Sequence, residues 1–321
     1  MPLQYDRDFY KAIEPLLPVL ASAPQFPAHD IASRRTVSGK AFEVLLDAFK
    51  ETSEDKIEET EHTALANDGH SIPIFQFKGR NTSSASNPAI LHIHGGGMIM
   101  GSVKIFSNVL KQYVSRTGVQ IFSVEYRLAP ENAHPTPGED CYAAFVWLQE
   151  HAKEFKIDPS RIGILGESGG GGIAAGVAVM ARDRNLSPKL AKQILVYPML
   201  DDRNTKPLEL VEPFTVWKIV DNITGWSALL GDMAGKDGVS PYAAPARVEN
   251  TEGLPPTYID VGELDIFRDE DIKYAGRIAA ANISTEFHLY PGLPHCFDLL
   301  APDIPAAKQA FENRAKAMLS F

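Results

Sequence analysis

With 321 residues, 44% hydrophobic and 22% charged, the chain has an ordinary globular composition and room for one large domain or two small ones. A net charge of −10 argues against nucleic acid or anionic membrane as a partner, and no apolar run reaches the length of a membrane span. The start, Met1-Pro2-Leu3-Gln4-Tyr5-Asp6-Arg7, is not a basic segment followed by an apolar core, and Cys141 and Cys296 are too few for a disulfide framework, so the expectation is a soluble, cytoplasmic protein.

Residues 1–55 read as helical. Phe42, Leu45, Leu46 and Phe49 share one helical face, as do Phe9, Ile13, Leu16, Leu17 and Leu20, although Pro15 and Pro18 break that second piece. Strands begin near residue 62. Residues 62–67 and 72–77 flank Asp68-Gly69, a hairpin that would give the sheet an antiparallel edge. Residues 80–87 are a polar loop. Further strands are predicted at 88–93, 119–126, 161–166, 192–198, 257–262 and 285–290, with helices at 105–116, 138–154, 169–184, 269–281 and 303–319. Nearly all-apolar strands alternating with helices indicate an α/β fold, a mostly parallel eight-stranded sheet covered on both faces. The stretch between the strands at 192–198 and 257–262 is too long for a simple crossover. Within it, 201–245 carries Phe214, Trp217, Ile219, Trp226 and Leu229 and reads as a helical insertion, leaving 56–200 and 246–321 as the sheet-bearing domain.

Ser168 lies in Gly166-Glu167-Ser168-Gly169-Gly170, after the apolar run Arg161-Ile162-Gly163-Ile164-Leu165 and before a helix rich in glycine and alanine. A serine at such a strand-to-helix turn is pushed out of the sheet on a strained backbone, and the glycines let the chain turn. The five-residue pattern alone is weak; its place between strand and helix gives it force. His94-Gly95-Gly96-Gly97 ends another apolar run, and a glycine loop there can turn backbone N–H groups toward the serine. A serine hydroxyl needs a histidine base oriented by a carboxylate. In this architecture the chain order is serine, acid, histidine, with the last two on loops leaving later strands. Asp265 and His295 occupy those slots, and Gly95, Gly96 and Gly169 would supply the oxyanion-binding N–H groups. Glu263, Asp269 and Glu270 lie near Asp265, and Asp260 falls in the preceding strand, so the acid has rivals.

Four segments together resemble the hormone-sensitive-lipase-like group of α/β-hydrolases, the bacterial and fungal carboxylesterases. His94-Gly95-Gly96-Gly97 is similar to that group's oxyanion motif, Tyr126-Arg127-Leu128-Ala129-Pro130-Glu131 to its segment after the fourth strand, and Glu167-Ser168-Gly169-Gly170-Gly171 to its elbow. Gly262-Glu263-Leu264-Asp265-Ile266-Phe267-Arg268-Asp269-Glu270 resembles its acid loop, which favours Asp265 over the rivals. The resemblance implies a cap built from 1–55 and 201–245, with Phe214, Trp217 and Trp226 as pocket walls and Met98 beside the oxyanion loop. It also implies a homodimer. Two positions depart from the group. Gly169 stands where alanine is usual, which keeps the N–H but should loosen the turn; Cys296 stands where glycine is frequent, which puts a thiol beside the base.

Other signals read more plainly. Glu167 is a hydrogen-bonding support or a complement to the helix dipole. His92 and His94 form an H-x-H pair without a carboxylate or cysteine at ligand spacing, so no metal is expected. Gly169-x-Gly171-x-x-Ala174 imitates a dinucleotide fingerprint but belongs to the serine turn. Cys141 is expected in the core. The expectation is therefore a cofactor-free serine carboxylesterase acting on short- to medium-chain esters through an acyl-enzyme. Alternatives with the same site are a lactonase or an acyltransferase. Some members of the group became small-molecule receptors by losing the histidine; His295 counts against that.

Overall fold

The computed structural model describes residues 3–18, 22, 24–47, 57–79 and 87–321. Leu20, Phe49 and the polar stretch at 80–86 lie outside these residues. Eight strands form one sheet: β1 (Ile57–Leu65), β2 (Ser71–Gly79), β3 (Asn87–Ile93), β4 (Gln120–Val124), β5 (Ile157–Glu167), β6 (Gln193–Val196), β7 (Thr257–Gly262) and β8 (Thr285–Tyr290). Their order is β1-β2-β4-β3-β5-β6-β7-β8. β2 runs antiparallel to both β1 and β4, and every other pairing is parallel. The hairpin and the mostly parallel eight-stranded sheet expected from the sequence are both present.

Two strand starts differ from the periodicity. β1 begins at Ile57 because an edge strand tolerates charges: its exposed run Glu58–Glu61 hid it as a strand. β5 begins at Ile157, through Asp158-Pro159, and the register against β3 shifts between Asn87 and Ala89. That irregularity accommodates a proline that cannot donate to the ladder.

The central strands alternate their side chains between two apolar layers. Leu91, Phe122, Ile164, Leu195 and Ile259 pack on one face and their neighbours Ile90, Ile121, Leu165, Ile194 and Tyr258 on the other. The first layer is closed by α4 (Thr136–Glu150), α5 (Gly169–Asp183) and α7 (Arg268–Ala280), through Phe145, Val177 and Ile278 among others. The second is closed by α3 (Val103–Thr117) and α9 (Pro305–Leu319), through Leu110 and Met318. No helix of the described residues is long and apolar enough to cross a membrane.

The start of α5 fixes the site. A Cβ on Gly170 would lie 2.1 Å from Ile93 O and 2.4 Å from His94 O, so only glycine lets the helix abut the end of β3. The turn after β5 is thereby pressed against the loop after β3.

The strand-free segments also meet. α1 (Arg7–Ile13) gives way to a 3-10 turn holding Pro15, and Leu16, expected on the apolar face, is instead exposed. Ile31–Ser33 continues through a π-turn, Arg34–Ser38, into α2 (Gly39–Asp47). The 201–245 stretch holds one longer helix, α6 (Ile219–Leu230). The two segments are joined by Arg34 Nε to Asp221 Oδ1 at 2.9 Å, by His29 N–H to Thr224 Oγ1 at 3.0 Å and by the Tyr5 hydroxyl to Phe214 O at 3.2 Å. Arg35 ties them to the sheet domain: it donates to both oxygens of Glu131 at 2.7 Å and to the carbonyls of Ile99 and Ala129.

Candidate active site

Ser168 joins β5 to α5 at φ +54, a left-handed conformation that a non-glycine residue holds only when its surroundings enforce it. The enforcement is visible. Its N–H donates to Val196 O of β6, and its carbonyl accepts from the N–H groups of Gly172 and Met199. The hydroxyl is thus delivered to the carboxyl end of the sheet, 3.0 Å from His295 Nε2. His295 Nδ1 lies 2.6 Å from Asp265 Oδ2, and Asp265 Oδ1 accepts from the Phe267 N–H at 3.0 Å. With Nδ1–H donating to the carboxylate, Nε2 is left to accept from the serine hydroxyl. All three side chains are buried. Burial works against charging the imidazole, but the Asp265 carboxylate, with the Cys296 thiol beside it, outweighs that and holds the His295 pKa well above its ordinary value.

The rival acids are engaged elsewhere. Asp260 accepts from Arg314 and the Tyr258 hydroxyl, Glu263 from the Gly292 N–H, and Asp269 from Arg268. Glu270 accepts from the N–H groups of Leu200 and Asp201 and from Asn204. Glu167 meets His92 Nε2 at 2.9 Å, and His92 Nδ1 meets Ser123 Oγ at 2.7 Å, so this carboxylate is held behind the serine turn. His94 turns to a different partner, Gly95 O, and burial pushes its pKa down to about 3.

Gly95, Gly96 and Gly97 face the serine across a cavity of about 270 Å³. Among the described residues no protein acceptor takes the N–H groups of Gly95, Gly96 or Gly169. Three unpaired donors beside the Ser168–His295 pair suit a negatively charged oxygen. The cavity is lined by Ser168 and His295 at its floor, by Phe42 and Leu45 of α2, by Trp217, and by Leu299 and Leu300 of α8 (Phe297–Leu300).

Residues 90–299 match a family model described as alpha/beta hydrolase fold. Esterase LipI of Mycobacterium tuberculosis is 36% identical over 229 residues, 70% of each chain. The chain belongs to the hormone-sensitive-lipase-like family of α/β-hydrolases. Ethyl acetate hydrolase of Pseudomonas putida is 28% identical over 255 residues, 78% of this chain and 79% of that one. The solved structure of a bacterial heroin esterase superposes with a TM-score of 0.86 at 32% identity, covering 98% of this chain and 97% of that one.

Within this hormone-sensitive-lipase-like frame the structure revises the expected pocket. Trp217 lines the cavity, but Phe214, Trp226 and Met98 do not. Phe214 is drawn away by Tyr5, whose ring it meets edge-on at 5.1 Å. Trp226 and Met98, each 1% exposed, belong to the core beneath. Aromatic content marked the right segment without telling which ring faces the serine. Phe42 and Leu45, which share an apolar helical face, line the cavity, and Phe42 also packs on the core. Tyr197, inside the strand expected at 192–198, also lines the cavity.

The two departures also acquire geometry. A Cβ on Gly169 would sit 2.8 Å from Met98 N and 2.9 Å from Gly97 N and Cα. The missing methyl therefore does not slacken the turn; it lets the glycine loop close onto the start of α5. Gly169→Ala is expected to push that loop back by a few tenths of an ångström and lower kcat about 10-fold with little change in KM. Steady-state kinetics on one ester checks this, and an unchanged kcat would show that the loop has slack. Cys296 adopts φ +57 and lines the cavity, half-buried.

Proposed function

We propose that this protein is a serine carboxylesterase of short- to medium-chain esters. The observation that carries the reading is the continuous Ser168–His295–Asp265 chain, at 3.0 and 2.6 Å. Ser168 is assigned as nucleophile, His295 as general base and then general acid, and Asp265 as the carboxylate that orients the imidazole. The hydroxyl attacks the ester carbonyl while His295 takes its proton. The N–H groups of Gly95, Gly96 and Gly169 hold the oxyanion. His295 returns the proton to the departing alcohol, and a water activated by the same imidazole releases the acid. Residues 1–55 and 201–245 are assigned as the cap, and its apolar wall of Phe42, Leu45 and Trp217 supports an apolar acyl or alcohol group. A volume of about 270 Å³ supports modest chain length. The relatives' names, esterases and an ethyl acetate hydrolase, favour ester hydrolysis over lactone and acyl-transfer chemistry. Two free cysteines support a reducing, cytoplasmic setting. The outer edge of β8, unpaired among the described residues, supports association with a second copy, which light scattering checks.

The test is hydrolysis of p-nitrophenyl esters from acetate to palmitate, with fluorophosphonate labelling read by peptide mass spectrometry. Turnover is expected to peak at a short or medium chain, with the label on Ser168. Because His295 acts as base when neutral and its pKa is raised, kcat/KM is expected to fall as pH drops, with a midpoint above the ordinary histidine value. An enzyme that turns over no ester and takes no label on Ser168 would overturn the reading.

A further inference from the structure

We infer that Tyr197, anchored by Asp298 and Arg314, is a positioning residue that holds the imidazole of His295 in register with Ser168 and Asp265; this rests on the hydrolase reading above. Nothing in the sequence motifs pointed to it. Tyr197 is the first residue after β6 and takes φ +34, a conformation unusual for a bulky side chain. Its N–H donates to Asp260 O at 2.7 Å, which fixes the backbone at that angle. The ring, 1% exposed, is turned back onto the site and forms part of the cavity wall.

There it meets His295 at 4.6 Å between ring centres and 66° between planes. Phe267 meets the same imidazole at 5.2 Å and 81°. Two aromatic rings thus stand near right angles to the base. Both nitrogens of His295 already meet Asp265 and Ser168, so packing against its ring restricts rocking about that axis.

The ring is itself held. Its hydroxyl donates to Asp298 Oδ1 at 3.3 Å. Asp298 is bound through its other oxygen by Arg314, whose guanidinium lies 5.5 Å from the Tyr197 ring centre. Arg314 is 3% exposed and forks onto both oxygens of Asp260 at 2.7 and 2.9 Å. Asp260 belongs to β7, the strand that leads to Asp265, so the network ties the base's neighbour to the strand that presents the acid. Asp298 follows Cys296 on the chain after the base. A buried fork of this kind is rigid because every member has a charged partner.

The experiment compares wild type, Tyr197→Phe and Tyr197→Leu by steady-state kinetics across pH and by proton NMR of the His295 Nδ1–H, which a short bond to a carboxylate moves far downfield. Tyr197→Leu is expected to lower kcat about 10- to 100-fold with KM within about threefold, and to weaken or abolish the downfield signal. It should also displace the acidic limb of the pH profile. Tyr197→Phe keeps the ring and is expected to restore kcat to within about fivefold of wild type, with the signal present. The inference is overturned if Tyr197→Leu keeps the kcat, limb and signal of wild type. It is equally overturned if Tyr197→Leu changes KM alone, since the ring would then be cavity wall only. Should Tyr197→Leu not fold, Tyr197→Met, which also removes the ring, takes its place; an undiminished signal and kcat in that variant would sink the inference. If wild type hydrolyses no ester the hydrolase reading falls, while the Nδ1–H signal still decides whether Tyr197 positions His295.

Discussion

Ser168→Ala is expected to lower kcat on the best p-nitrophenyl ester by at least about 10⁴-fold, with KM little changed. The substitution removes one oxygen from a position whose backbone is held by Val196, Gly172 and Met199, so the turn survives. Alanine is no worse than serine at φ +54, because the strain there is a Cβ strain that both residues share. The cavity keeps its walls and gains a little room, and ester binding has no reason to weaken. What disappears is the atom 3.0 Å from His295 Nε2 to which the proposed mechanism assigns the acyl bond. Its melting temperature is expected to stay within about 5 °C of wild type, since the lost hydrogen bond is worth about 1 kcal/mol. Kinetics and a thermal melt on the same preparation check both statements. Turnover above about 1% of wild type, too much for a site without its nucleophile, would place the nucleophile elsewhere, and Cys296 is the other one in the cavity wall.

Asp265→Asn is expected to cost about 10⁴-fold in kcat at neutral pH. The amide can turn its NH₂ toward His295 Nδ1, which then becomes the acceptor; Nε2 carries the proton and cannot take another from serine. Control substitutions decide whether this is specific. Asp269→Asn, a residue paired only with Arg268, is expected to stay within about twofold of wild type. The stability effect has a definite sign. Because the folded-state pKa of His295 is raised, the charged imidazole beside Asp265 adds stability that is fully present below the unfolded histidine value. That stability is lost as pH rises through the raised folded value. The melting temperature of wild type should therefore exceed that of Asp265→Asn most at acid pH, where His295 is charged, and the gap should narrow toward alkaline pH. A gap that widens with rising pH would mean that His295 is not the group whose charge the carboxylate supports.

The sheet and the Ser168–Asp265–His295 grouping were legible because they depend on local order. An apolar strand ends, the chain turns, and the residue at the turn is presented at one end of the sheet; spacing marks Ser168 and His295 in this way, while Asp265 is singled out from Glu263, Asp269 and Glu270 only by the resemblance of its loop. β1 and the first residues of β5 were not legible, since one is an edge strand with charges along it and the other carries a proline. The walls of the cavity were legible only by segment. Whether Trp217 or Trp226 faces the cavity depends on how Trp217 and the α6 that follows it are seated against the segment from Ile31 to Asp47. Distant pairs such as Arg34 with Asp221 join these segments, and no period in the sequence reports them. Tyr197 escaped for a related reason: its importance lies in a left-handed backbone and in the side chains of three other elements.

The π-turn at Arg34–Ser38 bears on how such a protein changes its diet over evolutionary time. There the Gly39 N–H reaches back five residues to Arg34 O, one more than the α-helical repeat. Deleting a single residue within this turn would restore the regular repeat and rotate everything after it by about 100° about the helix axis. Phe42 and Leu45 would swing off the cavity together, and other side chains of the same helix would take their places, while the sheet, Ser168, Asp265 and His295 stayed where they are. One inserted or deleted codon at this point is therefore a larger lever on which esters fit than a series of point substitutions along α2, and it leaves the bond-breaking apparatus untouched.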